Sequence, residues 1–377
     1  IARGAMNKSN VMIKPKMPTF SRDYRDFTIA LNKRVNNYFK INKISRHGNR
    51  EMIIKTVFMF GLYFVPYALI ITGVLTSMPA LILAVMVMSL GVSGIGLSVM
   101  HDANHGAYSK SPGINNFVGY SLNLVGANSF NWKIQHNLLH HTYTNVYEED
   151  EDISPKGVLR LSPHSPWKKI HKFQFIYAWF LYGLMTLSWL FFKDFERIVK
   201  YYKNGLINKQ KANVTTEWII LIITKAIFIG YIFFIPWIFT PLVWWQILIG
   251  ITMMHYAAGF FLAIIFQPAH VITGTEFPLP DEENVLKYNW TVHQLHTTTN
   301  FGNKSKWFSW FVGGLNFQIE HHLFPNICHV HYRKISEIVK STTEEFGLPY
   351  KNARTFIGAL YNHLKLLKQL GLKPSHN

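Results

Sequence analysis

The sequence has 18 histidines, and seven of them fall into three short clusters. The clusters are a pair four residues apart, a run spaced by four and one, and an adjacent pair: His101 and His105; His136, His140 and His141; His321 and His322. On an α-helix, residues i and i+4 lie on one face. His101 and His105 can therefore chelate one metal ion, as can His136 and His140. His141 is turned about 100° from His140 and could reach a neighbouring metal.

The clusters contain more candidate ligands than one four- to six-coordinate ion can take, so more than one metal is expected. Imidazole binds zinc, copper, iron and nickel, so the ligand type alone does not name the metal. The His-Glu-x-x-His motif of zinc proteases is absent from the sequence. Two metals beside a long apolar body suit oxidative attack on an unactivated C–H bond. Because that chemistry needs a redox metal and O2, we expect iron.

Five long apolar stretches are the elements that could position these histidines. They cover residues 56–75, 79–100, 173–192, 218–240 and 241–266. Very short uncharged turns join the first to the second and the fourth to the fifth, so each of these pairs is predicted to be a membrane hairpin. The predicted fold is therefore all-α and integral to the membrane, with four transmembrane helices in two hairpins.

The stretch 173–192 either crosses the membrane or lies in its interface. It is aromatic and has lysines or arginine on both flanks, which is typical of an interfacial amphipathic helix. If it crossed, the histidines before it and those after residue 266 would lie on opposite faces of the membrane. Because the chemistry needs them on one face, we predict an interfacial helix. Residues 101–172 and 267–377 then form a helical cap.

Charge indicates how the chain sits in the membrane. Only 15% of residues are charged, yet the net charge is +18, and residues 1–51 have twelve Lys and Arg against three acids. Such a basic chain could bind nucleic acid, but beside apolar spans anionic lipid headgroups are the better partner. By the positive-inside rule, we predict a basic cytosolic segment at 1–51, a membrane domain at 52–377, and both termini and the histidines in the cytoplasm. The one cysteine, Cys328, excludes a disulfide framework and cysteine-based iron–sulfur or zinc sites.

The sequence around the clusters resembles the membrane fatty acid desaturase family and its three histidine boxes. The matching segments are His-Asp-Ala-Asn-His-Gly at 101–106, His-His-Thr-Tyr-Thr-Asn at 140–145 and Asn-Phe-Gln-Ile-Glu-His-His-Leu-Phe-Pro at 316–325. In the front-end branch, of the delta-5 and delta-6 type, glutamine replaces the first histidine of the third box, as at Gln318. The resemblance covers about residues 50–350.

The resemblance implies a cytosolic cap with a di-iron site over an enclosed acyl tunnel. It also implies one more ligand just after the fourth membrane helix, which here is His270. The implied metal-binding residues are His101, His105, His136, His140, His141, His270, Gln318, His321 and His322, and the box histidines among them are the expected catalytic residues. Asp102, Asn104 and Glu320 are expected to hydrogen-bond the ligand imidazoles.

The implied reaction is O2-dependent desaturation of a fatty acyl chain carried on CoA, a carrier protein or a glycerolipid. The His-Pro-Gly-Gly motif of a fused haem domain and a glycine-rich dinucleotide fingerprint are both absent from the sequence. Electrons are therefore expected from a separate donor, either a ferredoxin or a cytochrome with its reductase.

Two other interpretations remain. A hydroxylase or ketolase acting on a lipid chain would use the same metals. A non-enzymatic lipid-binding or metal-transport protein would be apolar too, but a transporter tends to carry ionisable residues along its spans. Here only Lys225 and His255 interrupt the apolar helices, which favours the enzyme.

Overall fold

The computed structural model of the protein describes residues 17–155 and 157–374, and most of them are helical. Within these residues, four helices are long and apolar enough to cross a membrane: α2 (Arg50–Ile71), α3 (Met78–Asn104), α10 (Val214–Phe239) and α11 (Trp244–His270). The other helices are α1 (Arg25–Ile41), α4 (Pro112–Gly119), α5 (Ser121–Leu124), α6 (Ser129–Trp132), α7 (Lys169–Gly183), α8 (Met185–Lys203), α9 (Leu206–Lys209), α12 (Trp290–Thr297), α13 (Lys306–Phe311), α14 (Gln318–Leu323), α15 (Tyr332–Glu345) and α16 (Phe356–Gly371). The four predicted membrane helices are thus confirmed.

The ends of these helices differ from the predicted apolar stretches. The first begins at Arg50, six residues earlier, because the Asn49 side chain caps it by accepting a hydrogen bond from the Met52 amide at 3.3 Å. The second continues to Asn104 instead of stopping at residue 100. A hydropathy pattern follows apolar side chains, whereas a helix ends where its backbone hydrogen bonds end. The longer second helix places His101 within its last turn.

Small residues allow the membrane helices to pack closely, as is common where lipid supplies no hydrophobic drive between helices. A Cβ atom at Gly91 in α3 would lie 2.6 Å from the backbone nitrogen of Tyr63 in α2. A Cβ atom at Gly259 in α11 would lie 2.7 Å from the carbonyl oxygen of Gly183, where α7 ends. Both contacts are with backbone, which cannot move aside like a flexible side chain.

We expect Gly259→Val to destabilise the fold strongly. The added side chain must push α7 away from α11, and overpacking of this kind costs about 1–3 kcal/mol or more. The measurement is the thermal unfolding temperature of purified protein in detergent, together with the yield of monodisperse protein.

Gly61→Val is the matched control, because a Cβ atom at Gly61 in α2 meets nothing within 4 Å. Both substitutions make the same change of helix propensity, so any difference between them reports the packing at Gly259. Equal melting temperatures for the two variants would contradict the close contact of α7 with α11.

The stretch predicted to be one interfacial helix is instead two helices. These are α7 and α8, which meet at a bend of 59°. Side chains such as Phe180 and Phe192 remain largely exposed on them, as expected of a surface that faces lipid. A placement in the interface remains a prediction for this pair.

The cap is built on helices from both ends of the described chain. Four residues of α1, spaced four apart, pack against α15 in one apolar cluster: Phe27, Leu31, Val35 and Phe39, with Ile335 and Val339. Two short parallel strand pairs complete the cap, β1 (Thr19–Phe20) with β2 (Val285–Leu286) and β3 (Asn300–Phe301) with β4 (Asn352–Ala353). The described part of the basic N-terminal segment is therefore packed into the cap.

Candidate active site

Helices α3 and α6 bring the first two histidine clusters together. His101 and His105 lie one turn apart at the end of α3, with ring centroids 4.7 Å apart. Helix α6 continues into a π-helix, Lys133–His140, which carries His136 and His140. A π-helix is rare and occurs mostly at functional sites.

All eight histidines that the family resemblance implies as ligands lie close together, in groups whose ligand atoms are within 4.8 Å of one another. The first group is His101, His105, His136 and His321. The second group is His140, His270 and His322. His141 lies between them, in a third group with His321 and His322. The groups that could hold a metal ion are thus neighbours, and they share His321 and His322.

His136 and His140 lie close enough to bind one metal ion, in a group that they form with the carboxylate of Asp152. Each of them also belongs to a separate group that contains only imidazoles. The i, i+4 argument assumed an α-helix, whereas the π-helix hydrogen-bonds at i, i+5. The amide of His141 accordingly donates to the carbonyl of His136 at 2.9 Å, and their Nε2 atoms lie 3.3 Å apart.

The imidazoles fit metal ions as their occupants. The Nε2 atoms of His141 and His321 lie 3.0 Å apart, which is about the separation of two ligands bound at right angles with bonds of about 2.1 Å. Within the described chain, buried ring nitrogens of His101, His105 and His322 have no hydrogen-bond partner. Buried polar atoms are rarely left unpaired, so a cation in these positions would satisfy them.

Burial also prepares these rings to bind a cation. Desolvation, together with charge repulsion from neighbouring imidazoles, holds the pKa values of His105, His136, His141, His321 and His322 well below the ordinary histidine value. Each of these rings is therefore neutral at physiological pH. Metal binding requires a neutral imidazole, so no proton has to be displaced from it.

Two ligand rings are oriented by partners on their far side. His140 Nδ1 lies 3.0 Å from a carboxylate oxygen of Asp150, and His322 Nδ1 donates to the amide oxygen of Gln294 at 2.9 Å. Both partners accept hydrogen bonds, so a proton stays on Nδ1 and Nε2 is the nitrogen left for a metal ion. Burial lowers the pKa of His140, but the carboxylates of Asp150 and Asp152 outweigh it and raise the pKa to about 9.

Asp150 is a functional residue that the sequence reasoning missed. It lies in the acidic run at 148–152, which is typical of a solvated loop, yet its side chain is fully buried. The amides of Asn145 and Asp152 donate to its carboxylate at 2.9 Å each, and this holds it against His140. Ten residues separate Asp150 from His140, and no helical or strand period relates them, so the sequence offered no signal.

The three residues expected to support the ligands make other contacts. Asp102 accepts a hydrogen bond from His329 Nδ1 at 2.8 Å and lies 3.8 Å from the His101 ring nitrogen, too far for a hydrogen bond. Asn104 accepts from the Ser129 hydroxyl at 2.9 Å. Glu320 is held by Asn300 and Tyr350. That expectation is therefore wrong for all three: they brace the elements that carry the ligands.

Gln318 is buried at the start of α14, beside the imidazole of His270. Its Nε2 atom has no partner among the residues that the structure describes. Its position beside the second histidine group suits either a ligand or a support for one, and its role as a ligand remains a prediction. His293 and His296 lie outside the histidine groups: His293 contacts the Thr144 carbonyl, and His296 pairs with Glu276.

An apolar cavity, here called the inner cavity, lies against the histidines. Trp132 and Phe266 line it, and Trp132 also packs on the His136 ring with centroids 4.4 Å apart. Its other lining residues are Val92, Gly96, Met100, Leu122, Val125, Gly126, Ala127, Thr186, Trp189 and Leu262. A second apolar cavity, the outer cavity, is lined further along the same membrane helices by residues such as Met88 and Met254. An apolar space beside a cluster of imidazoles suits oxidation of an alkyl chain.

Comparison with known proteins agrees with this chemistry. Residues 76–353 match the family model described as fatty acid desaturase. The sn-1 linoleoyl-lipid 6-desaturase of Synechocystis sp. is 34% identical over 354 residues, which is 92% of this chain and 96% of that protein. The acyl-lipid (8-3)-desaturase of Physcomitrium patens is 37% identical over 350 residues, which is 92% of this chain and 72% of that protein. The Delta(5) fatty acid desaturase A of Dictyostelium discoideum is 31% identical over 363 residues, which is 93% of this chain and 76% of that protein.

Desaturases of this family use iron, and the histidine groups described above are arranged to hold a metal ion. The match to the family model extends from the start of α3 to β4 and so includes every one of these histidines. The chain thus belongs to the fatty acid desaturase family, as an enzyme of the membrane.

Proposed function

We propose that the enzyme introduces a cis double bond into an acyl chain that is attached to a glycerolipid and is already unsaturated. The new bond forms on the carboxyl side of the existing one. The observation that carries the proposal is the meeting of eight imidazoles, from four separate parts of the chain, beside an apolar cavity. The Gln318 box supports the front-end position, and the names of the relatives support the acyl-lipid substrate.

The eight imidazoles would hold two iron ions: His101, His105, His136, His140, His141, His270, His321 and His322. Bound iron supplies the oxidising power with which O2 removes two hydrogens from adjacent methylenes and leaves as water. Burial keeps the imidazoles of His105, His136, His141, His321 and His322 neutral. Asp150 and Gln294 fix the orientation of His140 and His322.

The cavity determines which carbons react. Methylenes along an acyl chain differ too little in chemistry to be distinguished, so position must select among them. Trp132 and Phe266 form the wall between the inner cavity and the histidines, and His101 and His136 lie against both rings. A chain held along this wall has its reacting carbons beside the ligands and is shielded from water.

The histidines and both ends of the chain face the cytoplasm in this proposal. His141 and His321 are in contact although α7 and α8 lie between them in the sequence. If α7 and α8 together crossed the membrane as a fifth span, those two histidines would have to reach each other through the bilayer. An interfacial position for α7 and α8, with a membrane domain at 52–377 and a basic segment at 1–51, avoids this.

A separate protein supplies the electrons in this proposal, either a ferredoxin or a cytochrome with its reductase. Reducing O2 to two waters while oxidising one C–C bond takes two electrons beyond those of the substrate. The cap would receive them, because the histidines lie at the junction of the cap with the membrane helices.

Product analysis tests the proposal. The chain is expressed in a microbial host that receives one defined unsaturated fatty acid, and the lipid classes are separated before gas chromatography with mass spectrometry. We expect one additional cis double bond between the carboxyl group and the existing double bond, appearing first in glycerolipids.

Other products would point elsewhere. A hydroxylated or keto product would assign the hydroxylase or ketolase reaction, and a new bond on the methyl side would reject the front-end position. Appearance of the product first in the acyl-CoA pool would reject the glycerolipid substrate. Purified protein with about two irons per chain supports the ligand set, whereas protein that binds no iron on reconstitution would contradict it.

A further inference from the structure

Trp189 in α8 carries an indole N–H that meets no acceptor. Its Nε1 atom is buried, and within residues 17–155 and 157–374 no oxygen or nitrogen accepts its hydrogen. The Trp189 side chain also lines the inner cavity. An unpaired buried donor costs free energy. A molecule that occupies the cavity and accepts a hydrogen bond from Trp189 would remove this cost.

The surrounding structure holds Trp189 in place. It begins a π-helical turn, Trp189–Lys193, and its carbonyl accepts a hydrogen bond from Lys225 Nζ at 2.9 Å. The same ammonium pairs with Asp194 and donates to the carbonyl of Gly126, each at 2.7 Å. This buried ion pair ties the turn to α10, so the indole is positioned before any substrate arrives.

Thr186, the hydroxyl-bearing residue that also lines the inner cavity, is already satisfied. Its hydroxyl donates to the carbonyl of His255 at 2.6 Å, and its oxygen lies 3.3 Å from His255 Nδ1. An acyl chain in this cavity therefore meets apolar side chains, among them the indole ring of Trp189, whose N–H has no acceptor among the described residues. A saturated chain has no acceptor to offer it, whereas a double bond has a π face that accepts a weak hydrogen bond from N–H.

Direction along the chain decides which part of the substrate meets Trp189. The polar headgroup end must lie toward the cap, and the methyl end must lie among the membrane helices that line the inner and outer cavities. In the front-end reaction proposed above, the existing double bond is on the methyl side of the reacting carbons. It would therefore lie in the inner cavity, on the membrane side of the histidines.

We propose that the Trp189 N–H binds the π face of the double bond already present in the acyl chain, and so selects unsaturated substrates. This inference rests on the proposed function, because it takes an acyl chain as the occupant of the cavity. It assigns to Trp189 a role in substrate selection, with no part in the oxidation itself.

The test removes the N–H and keeps an aromatic ring. Wild type and Trp189→Phe receive a saturated and a cis-unsaturated fatty acid of equal length in one culture, so the product ratio reports the ratio of kcat/KM for the two chains. We expect the preference for the unsaturated chain to fall roughly two- to fivefold. Trp245→Phe is the control, because Trp245 is 48% exposed and lines neither cavity.

A second measurement needs no turnover. Purified protein is heated in detergent with each of the two fatty acids, and the unsaturated one should raise the melting temperature of wild type more than the saturated one. In Trp189→Phe this difference should vanish. If that variant does not fold, benzothienylalanine at position 189 keeps the indole shape without the N–H and serves instead.

The outcomes distinguish the role proposed for the Trp189 N–H from the proposed desaturase function. An unchanged preference in Trp189→Phe, or an equal loss with both chains, would overturn the role of the N–H while leaving desaturation intact. If wild type forms no new double bond from either chain, the proposed function fails, and the melting temperatures then decide the role of Trp189 alone.

Discussion

His321→Ala is expected to reduce formation of the new double bond by more than about a hundredfold. Loss of a residue that merely supports a ligand already costs 10–100-fold in metal affinity or activity. His321 contributes to two of the three imidazole groups, with His101 on one side and with His141 and His322 on the other. Its removal therefore weakens both of these groups. Product is measured by gas chromatography and iron by elemental analysis of the purified protein.

His164→Ala is the matched control, because His164 is exposed in the cap and contacts the Phe277 carbonyl. Both variants should accumulate in the membrane fraction to the same level. His321→Ala with normal activity and a full complement of iron would remove His321 from the ligand set and would count against the di-iron proposal as a whole.

Asp150→Asn is expected to lower iron affinity and desaturase activity by about 10–100-fold. The substitution keeps the size of the side chain but removes the negative charge that faces His140 Nδ1 at 3.0 Å. Without this charge the imidazole is a weaker base and its orientation is less well fixed. The measurement is iron retained per chain during titration with a chelator, together with product yield in cells.

Glu148→Gln provides the control for charge in the same acidic run, because Glu148 is exposed whereas Asp150 is fully buried. Only the change at Asp150 should matter. Equal iron retention in the two variants would show that the carboxylate of Asp150 does not tune His140.

π-Helical turns recur around the site, and the sequence pattern did not predict them. One precedes His101 at Ile95–Val99, one carries His136 and His140, and one begins at Trp189. Each inserts an extra residue into a helix and rotates everything that follows it. The sequence does not reveal where such a residue is inserted, because contacts with other helices stabilise the π-turn.

The sequence alone determined the four membrane helices and the clustered histidines of this protein. Long apolar runs enter a membrane whatever their neighbours are, and His101 and His105 share a face because they lie four residues apart on one helix. His270 was implied by family resemblance, and it does lie in the second imidazole group. These features depend on segments of a few to about twenty residues.

Tertiary structure alone decided which histidines meet and which groups support them. His141 contacts His321, 180 residues away, and the rings are reached by Asp150 from a loop and by Gln294 from helix α12. Such contacts depend on how helices pack and where a π-turn rotates them. The free energy of packing depends on contacts throughout the molecule, so the spacing of residues in the sequence does not predict which helices meet. The unpaired N–H of Trp189 likewise could be identified only from the structure around it.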